Sequence, residues 1–346
     1  MPLLYAGIDE AGYGPLLGPL CVGCAVFEVA DTAEGSDKAA ASDTHTAASA
    51  PPCLWRALSR AVCRAPRDRR GRIAVADSKK LKLSNDAAAH PLTHLERGVW
   101  ACAAAITASA SFSTDDDLLA ALHAPVPQDA FHTAPVPLPL ANDAAQLRIA
   151  ASMLRTTAAA AGVHLRALHV RALPADEFNQ QAARVGNKAT INFMAAMQHV
   201  EAVRCAAAAR GVPAVVALDQ HGGRRTYVDP LRTSFPDASI RVLEECDTCA
   251  RYTLDFPATR SQPGHQMTVS FQQGGEEQHL PIALASMAAK LVRELHMRRL
   301  NAFFSQHLPE LKPTAGYTQD GHRFLADIRP VLDRLGLPEA SLVRSR

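Results

Sequence analysis

The chain has 346 residues, 48% of them hydrophobic, which suffices for a sizeable core in one or two domains. Its formal net charge of +2 is only mildly basic, so any phosphate-binding surface has to be a local patch. The first residues carry no basic stretch ahead of an apolar one, and no apolar run reaches membrane-spanning length; the eight Cys are therefore read as reduced thiols of a cytoplasmic protein without membrane contact.

In chain order, Leu3 to Ile8 is a short apolar run that reads as a buried strand. A turn with Gly12, Gly14, Pro15, Gly18 and Pro19 leads to a second strand candidate, Leu20 to Val29. Cys21 and Cys24, like Cys246 and Cys249, have the Cys-x-x-Cys spacing of zinc sites. Residues three apart on a strand face opposite ways, however, which argues for two buried thiols at Cys21 and Cys24. Ala30 to Pro52 lacks apolar periodicity and reads as a flexible insertion. Ile73 to Ala76 is another strand candidate and runs into Asp77-Ser78-Lys79-Lys80-Leu81. Leu95 to Ala105 reads as a helix, Ile106 to Phe112 as a strand, and Pro125 to Pro139 as a loop. Asn142 is placed to cap a helix reaching about Ala161. Val163 to Leu173 alternates like a strand, and Asn187 to Arg210 reads as a helix stopped by Gly211.

In the last third, Pro213 to Leu218 is an apolar strand ending in Asp219. Met267 to Phe271 is a further strand, followed by Gly274, Gly275 and Glu276. A long helix starts near Pro281, with Leu284, Ala288, Leu291 and Leu295 on one face. Interleaved strands and helices predict an α/β fold.

Asp9 with Glu10, Asp219, and Glu276 each follow a predicted strand directly or after a short turn. Strand ends are where α/β folds collect functional groups. Carboxylates gathered there from separate segments repel one another unless cations sit between them. Oxygen-only ligands suit Mg²⁺ or Mn²⁺, and two such ions about 4 Å apart can activate a water and stabilise the leaving oxygen of a phosphodiester.

The motifs around these acids resemble those of the ribonuclease HII (type 2 ribonuclease H) family. Gly7-Ile8-Asp9-Glu10-Ala11-Gly12-Tyr13-Gly14-Pro15 is similar to the family's opening strand, Asp-Glu pair and Gly-x-Gly-Pro turn. Asp77 to Leu81 resembles its second motif, and Leu218-Asp219 its third acid. Ala283 to Lys290 is similar to its Ser-Ala-Ala-Ser-x-x-Ala-Lys helix, and Glu276 stands ten residues before Ser286, where the family has its fourth acid. Gly316-Tyr317 with His322 resembles its late Gly-Tyr…His segment. The motifs span Gly7 to His322 in the family's order.

The resemblance implies a ribonuclease H-like fold, a central mixed sheet flanked by helices. Residues 1–312 would form the catalytic domain and 313–346 a small C-terminal helical extension. It implies a monomeric, metal-dependent endonuclease that cuts the RNA strand of RNA–DNA hybrids, or ribonucleotides embedded in duplex DNA, leaving a 3′-hydroxyl and a 5′-phosphate. Asp9, Glu10, Asp219 and Glu276 would be the catalytic metal ligands for two Mg²⁺ or Mn²⁺ ions. Gly12, Tyr13 and Gly14 would face the ribonucleotide and its 2′-hydroxyl. Lys79 and Lys80 would meet phosphates, and Tyr317 would stack beside the cut.

Three departures from the pattern bear on substrate choice. Tyr13 stands where the family usually has Arg, which removes a guanidinium contact. The fourth acid is Glu276 rather than Asp, with Glu277 beside it as an alternative ligand. Gln220 to Arg225 is richer than the family's usual Asp-Gly, and Arg224, Arg225 and Tyr227 are candidates to hold the substrate backbone. His221, His279 and His322 are candidate proton donors to the leaving group, the ordinary reading of each being structural. Two alternatives keep the same residues: a DNA nuclease of related fold, and a nucleic-acid-binding relative that does not cut.

Overall fold

The computed structural model describes residues 1–31, 51–84, 87–107, 111–258 and 263–345. Its elements run β1 (Leu3–Ala11), β2 (Leu20–Val29), α1 (Leu54–Ala57), β3 (Val62–Cys63), β4 (Ile73–Ala74), α2 (Ser78–Leu81), α3 (Thr93–Thr107) and α4 (Asp115–Ala121). There follow α5 (Ala144–Ala160), β5 (Val163–Leu173), α6 (Ala175–Val185), α7 (Lys188–Arg210), β6 (Ala214–Asp219) and α8 (Val228–Ser234). The chain then forms β7 (Ser239–Glu245), β8 (Cys249–Phe256), β9 (His265–Gln272), α9 (Gly275–Gln278), α10 (Leu280–His307) and α11 (Thr318–Leu335).

The main sheet has seven strands in the order β5-β2-β1-β6-β9-β8-β7. β1, β6 and β9 are parallel, while β2 and β5 on one side and β8 and β7 on the other pair antiparallel. The fold is therefore the mixed α/β arrangement expected, a central mixed sheet between helices. β1 and β2 sit side by side because a short Gly- and Pro-rich turn joins them; the parallel step from β1 to β6 requires a long crossover, supplied by the helices between.

Alternation along β1 and β2 splits the core in two. Tyr5, Cys21, Ala25 and Phe27 pack with α3, α5 and α10, whereas Leu4, Ala6, Ile8, Val22, Cys24 and Val26 pack with α7. Cys21 and Cys24 thus lie in different cores, so they cannot ligate one ion. Two glycines let α10 rest directly on the sheet. A Cβ on Gly7 would come 2.1 Å from Ile282 N, and one on Gly23 would come 2.2 Å from Ala285 O. A third core joins Leu16 and Leu17 to Met297, Leu300 and Phe304 of α10 and to Phe324, Ile328 and Leu332 of α11.

Several expectations shift in detail. The strand expected over Ile106 to Phe112 is not formed: Ile106 and Thr107 close α3, residues 108–110 lie outside the described residues, and Ser111 and Phe112 are in no strand. Phe112 is apolar because its ring packs 5.0 Å from Trp100 in the core. The cap of α5 is Asp143, whose carboxylate accepts from the Ala145 and Gln146 amides, while Asn142 bonds Thr93 and Glu96 instead. The strand at Ile73 is two residues long. Most of the insertion expected over Ala30 to Pro52 lies outside the described residues.

One buried ion cluster ties α10 to α4. Arg299, 3% exposed, donates to Asp115 from Nε at 2.7 Å, to Asp116 from Nη2 at 2.5 Å, and to the His132 carbonyl at 2.6 Å. Removing the guanidinium would leave the Asp115 carboxylate buried without a countercharge. Arg299→Met is expected to lower unfolding free energy by about 3 kcal/mol, read by urea denaturation. A loss below about 1 kcal/mol would mean that Asp115 finds another partner or takes up a proton.

Candidate active site

The three parallel strands end at one level. The parallel pairing of β1 with β6 stops at Ile8 and Leu218, and Leu218 pairs with Phe271, so Asp9, still inside β1, and Asp219, the last residue of β6, stand side by side. After β9 the chain turns at Gly274, whose φ of +66° suits glycine, and α9 then carries Glu276 back towards them. The Gly275 amide donates to Asp219 Oδ1 at 3.0 Å. A side chain at Gly275 would strike Ile282 at 2.7 Å, so this position holds the turn against α10.

Asp9 and Glu10 point to opposite faces of β1, as successive strand residues must. On the α10 side, Asp9 is buried and faces Glu276 and Ser286. Ser286 Oγ lies 3.2 Å from Glu276 Oε1 and 3.0 Å from Ser78 Oγ, linking α10, α9 and α2. On the α7 side, Glu10 meets the side chain of Asn192, which is 2% exposed. Asn192 is a site residue that the sequence reading missed; its one signal is a lone amide inside the apolar stretch Ile191 to Ala196. Asp77, also not singled out, lies within hydrogen-bonding reach of Glu276.

Burial raises the pKa of all four acids. Asp9 stands well above the ordinary 3.8, through burial first and then the charges of Glu10 and Glu276. Burial raises Glu10 against the opposing bond from Asn192, and Asp219 against the Gly275 amide. Glu276 is raised by burial and by Asp77. Lys79 is the cation these acids feel: burial works against its charge, but Glu276, Asp77, Asp9 and Asp219 outweigh that and raise its pKa. Asn192→Leu is expected to raise Glu10 further, read by carboxyl NMR titration. An unchanged Glu10 titration would rule the bond out.

The acids are spread along the sheet end rather than ringed about one point, with Asp9 facing Glu276 and Glu10 feeling Asp219. Among the described residues, no three His, Cys, Asp or Glu side chains form a closed ligand group as they stand. The chemistry of the set nonetheless fits a hard divalent cation: every donor is a carboxylate oxygen, and burial makes each of these charges costly without a cation beside it.

The other predicted residues separate into those near the acids and those away from them. Gly12 has a φ of +85°, and nothing lies within 4 Å of a Cβ on Gly14, so the turn opens outward at Gly14. Tyr13 is half-buried with Lys188 Nζ 4.7 Å from its ring centre. Lys80 turns away to Glu277 at 2.6 Å, on an exposed surface, which also takes Glu277 out of the acid group. Arg225 pairs with Asp247 at 2.9 Å, and Arg224 lies 5.8 Å from the Tyr227 ring. Both arginines are exposed, whereas Tyr227 is fully buried and stacked 3.6 Å on Phe271, so it is a core residue rather than a substrate contact. Tyr317 is 52% exposed beside the Arg293 guanidinium. His221 is enclosed by Phe193, Tyr227 and Phe271, and burial pushes its pKa down to about 4. His279 is held between Tyr5 and Gln272, likewise pushed down to about 4 by burial, and His322 is exposed on α11.

No family model and no curated protein matches this sequence. Among solved structures, the chain is similar to the RNase HII of Archaeoglobus fulgidus, determined in complex with PCNA, at 13% identity and a TM-score of 0.42, over 99% of this chain and 94% of that one. It is similar to ribonuclease H2 from Pyrococcus horikoshii at 14% identity and a TM-score of 0.43, over 99% and 92%. It is also similar to Bst-RNase HIII, determined with Mn²⁺, at 11% identity and a TM-score of 0.39, over 99% and 66%. The likeness is one of architecture, and no residue or reaction is carried across from it. No helix among the described residues is long and apolar enough to cross a membrane.

Proposed function

We propose that this chain is a divalent-metal-dependent endonuclease of the ribonuclease H-like kind. Its substrate is the RNA strand of an RNA–DNA hybrid, or a ribonucleotide within duplex DNA, cut to a 3′-hydroxyl and a 5′-phosphate. The supporting observation is that Asp9, Glu10, Asp219 and Glu276 lie along one sheet end, all with raised pKa values, with Glu10 two residues before an outward-opening Gly-rich turn. A pure binding surface has little use for such clustered negative charge facing phosphates.

In this reading the four acids hold Mg²⁺ or Mn²⁺, which when bound supply Lewis acidity and an activated water. The chain's own residues orient the ligands. Ser286 bonds Glu276 and faces Asp9, Asn192 faces Glu10, and the Gly275 amide fixes Asp219. Lys79 meets the phosphate nearest the acids, and Lys80, Arg224 and Arg225 attract the flanking backbone from the surface. The bare backbone of Gly12 to Gly14 approaches the sugar, and the exposed ring of Tyr317 stacks beside it. Residues 1–312 form the catalytic domain and 313–346 the helical extension.

The test uses three labelled duplexes: an RNA–DNA hybrid, DNA with one ribonucleotide, and plain DNA. Each is incubated with Mg²⁺, Mn²⁺ or EDTA, beside Asp219→Asn. Metal-dependent cutting of either ribonucleotide-containing duplex, lost in the variant, is the expected result. Cutting of plain DNA would instead support the DNA nuclease to which Tyr13 leaves room. Binding without cutting under either metal would sink the enzyme reading.

A further inference from the structure

Two arginines lie buried beneath the Gly12 to Gly18 turn without a countercharge among the described residues. Arg293 of α10 is 1% exposed and Arg344 of the C-terminal segment 4%. Arg293 Nη2 donates to the carbonyls of Leu17 at 3.1 Å and Ala315 at 2.9 Å. Arg344 Nη2 donates to the carbonyls of Gly12 and Pro15. Both arginines therefore reach Gly12: Arg344 bonds its carbonyl, and a Cβ there would come 2.7 Å from both Cδ and Nε of Arg293.

Their remaining donors go unmatched. Nε and Nη1 of both residues are buried and meet no acceptor among the described residues. No described carboxylate forms an ion pair with either; Glu294, next to Arg293 in sequence, is taken by Lys82 and Lys290. The faces of Tyr317 at 5.9 Å and Phe178 at 5.1 Å offer the arginines only cation–π contact. Burial first, and then the charge of Arg293, pull Arg344 down to about 10, which still leaves it charged at neutral pH. Two like charges out of water are costly unless paired and hydrogen-bonded.

We propose that Arg293 and Arg344 bind a buried, halide-sized inorganic anion that accepts from unmatched N–H groups of both guanidiniums and pins the Gly12 to Gly18 turn from beneath. A halide suits a site this enclosed, because it accepts several N–H donors without demanding a fixed direction. The proposal does not depend on the nuclease reading, since it is tested by binding rather than by cleavage.

The experiment measures thermal stability at constant ionic strength while chloride replaces gluconate, for the wild-type chain and Arg344→Met. A saturable rise in Tm of about 2 °C or more, absent in the variant, is expected. Equal Tm in the two salts, or the same rise in the variant, would overturn the site. Because Arg344→Met could fail to fold, wild-type crystals grown in bromide give a second reading. An anomalous peak between the two guanidiniums supports the proposal, and no peak there overturns it.

Discussion

Replacing Asp9 with Asn is expected to reduce metal-dependent cleavage by about 10³-fold or more, while the metal-free variant melts above the metal-free wild type. The loss follows from its place: Asp9 is the most buried of the four acids and faces both Glu276 and Ser286. Metal-assisted charge stabilisation supplies several kcal/mol, and about 4 kcal/mol corresponds to about 10³-fold. Asn keeps the shape and one oxygen but removes the charge that would attract the ion. The gain in stability follows from the same burial. A carboxylate held away from water beside Glu10 and Glu276 costs free energy that an amide does not. A variant that cuts normally, or one that melts well below the wild type, would contradict this account of Asp9.

The pH dependence has a definite sign. The folded protein holds the Asp9 proton more tightly than the unfolded chain does, so from the ordinary value of 3.8 upward the folded state binds more protons. Stability of the metal-free wild type should therefore fall as pH rises through that window, and Asp9→Asn should flatten the slope. Added Mg²⁺ should raise the wild-type Tm and raise that of Asp9→Asn less, because binding to the folded state adds stability only where affinity exists.

Much of this site was legible because it lies where strand patterns end. Leu3 to Ile8 and Ala214 to Leu218 are apolar runs whose first charged residue is the acid itself, so sequence marks both the strand and its functional end. The matching limits of β2 and β5 have the same origin, since the residues of both alternate against two cores, even though β5 lies at one edge of the sheet. Strand β7 left no such trace: it forms the sheet edge, its side chains are exposed on both faces, and charges interrupt it. Asn192 was hidden for another reason. Its meaning depends on α7 crossing beneath Glu10, a contact 182 positions away that no local pattern carries. The role of Tyr227 was misjudged because an aromatic beside two arginines looks like a binding surface, whereas its ring is stacked on Phe271 inside the sheet core.

Glu276 and Glu277 give the sharpest contrast available within one turn of helix. Glu276→Gln is expected to lower cleavage by about 10³-fold, on the same charge argument as Asp9, whereas Glu277→Gln should stay within about threefold of the wild type. The sequence places Glu276 at the ten-residue spacing to Ser286 but leaves Glu277, directly beside it, as an alternative ligand. Their environments differ. Glu276 is drawn into the sheet end by Ser286 at 3.2 Å and its pKa is raised, so it shares the proton-retaining character of Asp9. Glu277 is two-thirds exposed, and the bond from Lys80 lowers its pKa, as in an ordinary surface ion pair. An exposed pair of that kind is screened by water and contributes little, so its loss cannot imitate the loss of a metal ligand. Matched rate constants at saturating Mg²⁺ and Mn²⁺ decide the matter. Equal losses in both variants would place the fourth ligand on a flexible α9 that can present either carboxylate, and a larger loss at Glu277 would reverse the assignment.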